Sequence, residues 1–145
     1  IPRSDTFKVE NEYSIEYMKG NEIRKGNDKL IVAAGSMLKE VIAIEGKMAE
    51  NGLRPTIVSP LFLNPFDEKY ILENVDNYQE IVIIEENVKH GGFGSCVMEF
   101  LNRYKKSDKL KIIALPEKFI EHGKRDELLE EEGLRGESLL KRIME

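Results

Sequence analysis

The stretch Ile81-Val82-Ile83-Ile84-Glu85-Glu86-Asn87-Val88-Lys89-His90-Gly91-Gly92-Phe93-Gly94-Ser95 decides the fold. An unbroken apolar run meets two adjacent carboxylates and then a glycine-rich turn that opens a helix. Four apolar residues in succession, Ile81 to Ile84, suit a strand covered on both faces, the habit of parallel sheets flanked by helices. In such sheets ligands and neighbouring domains meet the loops at the carboxyl ends of the strands, where Glu85, Glu86 and the glycines fall.

Outward from this strand the same alternation repeats. Upstream, Leu30 to Ala34 reads as a buried strand, and Gly35-Ser36 as a turn into a helix whose first amides Ser36 is expected to cap. That helix carries Leu38, Val41, Ile42 and Met48 on one face and ends at Asn51-Gly52. Pro55 to Ser59 supplies another strand, and Asn64-Pro65-Phe66-Asp67 a turn in which Asp67 caps a helix bearing Ile71, Leu72 and Val75. Downstream, Gly94 or Ser95 starts a helix with Val97, Leu101 and Tyr104 aligned, and Lys111 to Leu115 forms the last strand before Pro116. Two short amphipathic pieces, around Asp126 to Leu129 and through Leu139, Leu140 and Ile143, close the core. Residues 1–28 are polar and irregular and read as a linker from a preceding domain, with Glu22 to Arg24 as a candidate edge strand; residues 29–145 read as one domain. Strands separated by helices imply right-handed crossovers and an α/β fold with a largely parallel sheet between two helical layers.

A chain of 145 residues is long enough for one real core, burying roughly 70% of the surface its unfolded form exposes. It begins at Ile1 and reads as a piece of something longer. No run reaches the ~18 consecutive apolar residues of a membrane span, and no signal peptide is apparent, so the expectation is a cytoplasmic protein without membrane contact. A single cysteine, Cys96, excludes an internal disulfide and supplies no ligand pair; it reads as a small packed residue rather than a nucleophile. A formal net charge of −5 argues against a nucleic-acid surface, which needs clustered positive charge. The run Glu130-Glu131-Glu132 reads as a solvated helix end.

The glycines at 91, 92 and 94 ask to be tested as a phosphate cradle. A dinucleotide fingerprint beginning at Gly92 needs a small residue where Val97 stands, and no Gly-Lys-Ser/Thr loop exists. A tight turn that brings a helix close to the sheet or to a neighbouring domain is the better reading. Glu85 and Glu86, adjacent on a strand, point to opposite faces and make a poor acid/base pair. One is expected to aim at the Gly91-Gly92 amides or a neighbouring domain, the other to be solvated. His90 and His122 each precede a glycine in a loop without a second ligand at metal spacing, and are read as surface or interface residues. No catalytic residue and no metal ligand is expected here.

Four segments together carry a family resemblance: Val32-Ala33-Ala34-Gly35-Ser36-Met37; Asn64-Pro65-Phe66-Asp67-Glu68; the central stretch from Ile84 to Ser95; and Leu115-Pro116-Glu117-Lys118-Phe119-Ile120-Glu121-His122-Gly123-Lys124-Arg125-Asp126-Glu127-Leu128-Leu129. Over nearly the whole chain they resemble the carboxyl-terminal domain of the 1-deoxy-D-xylulose-5-phosphate synthases, in the transketolase-like superfamily. The glycine loop identifies only the superfamily; the Leu-Pro-x-x-Phe-Ile-x-His-Gly segment is the specific part. The resemblance implies a three-layer αβα domain with a five-stranded, mostly parallel sheet and one antiparallel edge strand. It also implies a homodimeric parent enzyme that uses thiamine diphosphate and Mg2+, held between the two preceding domains, to condense pyruvate with glyceraldehyde 3-phosphate in the non-mevalonate isoprenoid pathway. No cofactor is implied within this chain, which lacks the Gly-Asp-Gly start of the diphosphate motif.

By the same resemblance, Ile1-Pro2-Arg3-Ser4 matches a Tyr-Pro-Arg-Gly segment whose arginine binds the phosphate of the aldehyde substrate, which makes Arg3 the candidate substrate contact. The loops holding Glu85, Glu86, Gly91, Gly92, Phe93, Gly94, Phe119 and His122 are candidates for the interface with the preceding domains or a second subunit. Phe93, Phe119 and Ile120 are expected to be exposed apolar residues there. One departure stands out: Leu61-Phe62-Leu63-Asn64-Pro65-Phe66-Asp67 replaces the family's Arg-Phe-Val-Lys-Pro-Leu-Asp and drops two basic residues. The alternatives are therefore another transketolase-like enzyme, or a non-catalytic interaction or regulatory module.

Overall fold

A computed structural model describes residues 15–117 and 123–145. Five strands, β1 (Asn21–Arg24), β2 (Lys29–Ala33), β3 (Thr56–Ser59), β4 (Glu80–Val88) and β5 (Leu110–Leu115), form one sheet in the order β1-β3-β2-β4-β5. β1 runs antiparallel to β3, and every other pairing is parallel. Among the described residues the α-helices are α1 (Met37–Ala43), α2 (Glu45–Glu50), α3 (Glu68–Asn74), α4 (Phe93–Arg103), α5 (Arg125–Glu131) and α6 (Gly136–Met144), with a short 3-10 turn at Ser107–Lys109.

Alternation along the strands sorts the core into two halves. Ile31, Ala33, Val82 and Ile84 face α1, α2, α5 and α6, while Leu30, Val32, Ile81 and Ile83 face α3 and α4. All eight are buried, so β2 and β4 are sandwiched between helical layers, which is why they read as continuous apolar runs. The result is the expected three-layer αβα arrangement with one antiparallel edge strand. Among the described residues no helix is long and apolar enough to cross a membrane.

Asp67 caps α3 as its place in the turn suggests, accepting from the Tyr70 amide at 3.1 Å. Three local expectations are corrected. The single helix expected from Ser36 to Asn51 is two, broken at Ile44; a β-branched residue there and Gly46 beyond it weaken the helix, while Val41, Ile44 and Met48 stay buried in one cluster across the break. Ser36 makes no capping bond, because its own backbone is helical (φ −62°, ψ −20°) and not the extended conformation of a capping residue; its hydroxyl donates elsewhere, as described below. Tyr104 lies just past α4, half-exposed, with its ring against Phe100 at a centroid distance of 5.3 Å.

The last two helices are integral to the core. Leu129, Leu134, Leu139 and Ile143 are buried against the sheet, and Arg142 donates to the Glu132 carbonyl at 2.9 Å, closing the end of α5 onto α6.

Candidate functional site

The carboxyl ends of β2 and β4 bound an open cleft of about 720 Å³, walled by Gly35 and Ser36, by Glu86 and Asn87, and by Gly91 and Gly92. The two glutamates at the end of β4 give it its shape. Strand alternation places Glu85 with Ile81 and Ile83 on the α4 side, and Glu86 with Val82 and Ile84 on the side of α1 and α5.

Glu85 is 3% exposed, and its carboxylate accepts from the amides of Phe93 at 2.8 Å and Gly94 at 2.9 Å. These are unpaired donors of the first turn of α4, where the helix dipole also favours an anion. The geometry needs glycine. A Cβ on Gly92 would lie 2.6 Å from Glu85 Oε2 and from the Val88 carbonyl, and one on Gly94 would lie 2.8 Å from Ile112 of β5. The turn therefore brings the helix onto the sheet, and the amides it frees are taken by the protein's own carboxylate.

Glu86, where the sequence reading expects a solvated carboxylate, is only partly exposed and is held by two side chains. Arg125, at the start of α5, grips it with Nε at 2.9 Å and Nη2 at 2.5 Å, and the Ser36 hydroxyl donates to Oε2 at 2.6 Å. Burial pushes its carboxyl pKa up, but Arg125 and Ser36 outweigh burial and hold it below the usual carboxylate range. The ion-pair chain continues inward. Arg125 and Arg135 both contact Asp126, and Arg135 Nε lies 3.7 Å from Glu40 of α1, whose side chain is buried with no hydrogen bond to Oε1 among the described residues.

The structure thus brings Glu85, Glu86, Gly91, Gly92 and Gly94 to one end of the sheet, although Glu85 engages the Phe93 and Gly94 amides rather than those of Gly91 and Gly92. Phe93 also lies there, but its ring is buried and meets Phe66 edge-on at 5.7 Å, which corrects the expectation of an exposed residue. Arg3, Phe119, Ile120 and His122 lie outside the described residues. His90 pairs with Glu117 beside a second cleft of about 680 Å³, between β5 and the α5–α6 connection. Cys96 is partly buried against the α3–α4 side of the core. Sequence reasoning missed Ser36 and Arg125 as partners of Glu86; the only signal was the arginine's place in the His-Gly-x-Arg-Asp segment.

These features define an α/β domain of the transketolase type. Residues 18–139 match the family described as "Transketolase, C-terminal domain", and the chain belongs to it. Over all 145 residues it is 41% identical to the 1-deoxy-D-xylulose-5-phosphate synthase of Fusobacterium nucleatum. It is 40% identical over 118 residues, 81% of the chain, to the enzyme of the same name from Alkaliphilus oremlandii. The chain spans 24% and 19% of those two proteins. Its fold also matches a solved split-gene transketolase, an inactive β4 tetramer, with a TM-score of 0.81 and 24% identity, covering 98% of this chain and 46% of the other.

The thiamine diphosphate and Mg2+ that the resemblance implies do not fit at this cleft. The amides that could hold a diphosphate are already bonded to Glu85, and the space around Gly92 and Gly94 is filled by that carboxylate and Ile112.

Proposed function

We propose that this chain is the carboxyl-terminal domain of a thiamine diphosphate-dependent 1-deoxy-D-xylulose-5-phosphate synthase. The parent joins pyruvate and glyceraldehyde 3-phosphate to 1-deoxy-D-xylulose 5-phosphate with release of CO2. The domain itself is inactive; it supports the cytoplasmic homodimer and packs on the domains that hold the cofactor. The observation that carries this reading is the alignment of the whole chain, at 41% identity, with a synthase of which it spans 24%. The geometry supports the same division of labour. Both strand-end carboxylates are engaged in holding loops, so neither is free to move a proton for chemistry. The cleft loops holding Glu85, Glu86, Gly91, Gly92 and Gly94 face the preceding domains, and Arg3 contacts the aldehyde substrate's phosphate, a task that suits a planar guanidinium.

The test is an assay of the full-length parent with pyruvate, glyceraldehyde 3-phosphate, thiamine diphosphate and Mg2+, with product detected by mass spectrometry and subunit number by sedimentation. Product from a homodimer is the expected result. No product from a folded, cofactor-bound parent overturns the reading in favour of a transketolase-like enzyme with another acceptor, or a non-catalytic module. These alternatives are favoured by Leu61 and Asn64, which by the resemblance stand where the family has basic residues.

A further inference from the structure

The cleft is lined from residues 34–36, 63–64 and 85–96, far apart in sequence, and the regular ladder stops short of its walls. The last β2–β4 pair is Ala33 with Ile84, and the β4–β5 register shifts between Ile84 and Val88. Glu85 and Glu86 therefore lie beyond the pairing with β2 and in the irregular part of the pairing with β5, where side chains take over. Glu85 fixes the glycine turn on one face. On the other face Glu86 is bonded at once to Ser36, 50 positions earlier, and to Arg125, 39 positions later.

We propose that Glu86 is a positioning residue that couples the β2–α1 turn, one wall of the cleft, to the chain's last two helices through Ser36 and Arg125. Two charge-assisted bonds from Arg125 fix the carboxylate, and the fixed carboxylate then orients the Ser36 hydroxyl and with it the first turn of α1. The amides of Met37, Leu38 and Lys39 report that turn, since they bond to the carbonyls of Ala34, Gly35 and Ser36. The placement of α5 thereby sets the surface that the cleft offers to the rest of the parent, a consequence that rests on the functional reading above. The coupling itself stands on the geometry alone.

Amide hydrogen exchange on the full-length parent tests it. Arg125→Met should speed exchange at Met37 to Lys39 by about ten- to a hundredfold, the range expected on losing a hydrogen bond to a charged group, while β3 and the second half of α4 keep their protection. Arg125→Lys should give a smaller change at the same amides. Ser36→Ala should produce the same local effect, and combining it with Arg125→Met should add little. Unchanged exchange at Met37 to Lys39 in both Arg125 variants, or a uniform rise across the sheet, overturns the proposal. These readouts do not depend on turnover, so loss of the synthase reading in the product assay leaves them intact.

Discussion

Lys29, at the start of β2, donates to the backbone carbonyl of Ile143 at 2.7 Å, joining positions 114 apart in the chain. The same ammonium bonds Glu80 at 2.9 Å and is mostly shielded from solvent. The amino end of the sheet is thus tied to the end of α6, where a cation also complements the helix dipole. Lys29→Met should cost about 1–3 kcal/mol, read as a lower urea midpoint of the 145-residue chain with an unchanged slope. A midpoint equal to wild type would show that the tie contributes nothing.

Glu85 should be the more sensitive of the two strand-end carboxylates. Glu85→Ala leaves the Phe93 and Gly94 amides buried without an acceptor, a loss of roughly 1–3 kcal/mol for each. Glu85→Gln keeps one acceptor oxygen and should lose distinctly less. Equal losses in the two variants, by urea unfolding, would refute the role of the amides.

Gly94→Ala puts a methyl group 2.8 Å from Ile112 and 3.1 Å from Glu85 Oε1. Overpacking at such a contact costs typically about 1–3 kcal/mol. Pairing it with Ile112→Ala, which removes both γ carbons that the methyl would strike, should cost less than the sum of the two single losses, and a thermal shift series would show whether it does.

The buried carboxylate Glu40 is ion-paired to Arg135 and is also faced by Arg125. Arg135→Met should destabilise by up to about 3 kcal/mol, because it removes the ion-pair partner of a buried carboxylate, whereas Glu40→Met/Arg135→Met should recover most of the loss. A double variant no more stable than Arg135→Met would argue against the pairing.

Glu86 gives the fold a definable acid response. Its carboxyl pKa lies below the ordinary value in the folded chain, so its contribution is fully present above the unfolded pKa of about 4.3 and is lost as pH falls through the folded value. Glu86→Gln removes that titration. The gap in urea midpoint between wild type and variant should be constant from neutral pH to about pH 5 and shrink below about pH 4; a gap that widens on acidification would contradict the assignment.

The sheet was legible because its two central strands are covered on both sides and must be apolar throughout, as Leu30–Ala34 and Ile81–Ile84 are. Asp67 was legible because its partner is three residues away. Ser36 was misread for the opposite reason: its local pattern predicts a cap that accepts from the helix amides, but its backbone is helical and its hydroxyl donates to Glu86, 50 positions on. Phe93 was misread as exposed because the adjacent glycines look like a surface loop. The absence of a side chain at Gly94 lets α4 settle onto β5 and carry Phe93 into the core. Sequence reasoning recovers what short range and periodicity determine; the ties across the sheet need coordinates.

The antiparallel edge strand bears on solubility. An open sheet has two rims, and each is a template for pairing with a stray chain. At one rim β1 is only four residues long, carries Glu22 and Arg24, and has an irregular register between them; at the other, β5 interrupts its apolar sequence with Lys111. Short length, charge and a local kink are the devices that discourage edge-to-edge polymerisation, so the strand that breaks the parallel pattern also guards the sheet against aggregation.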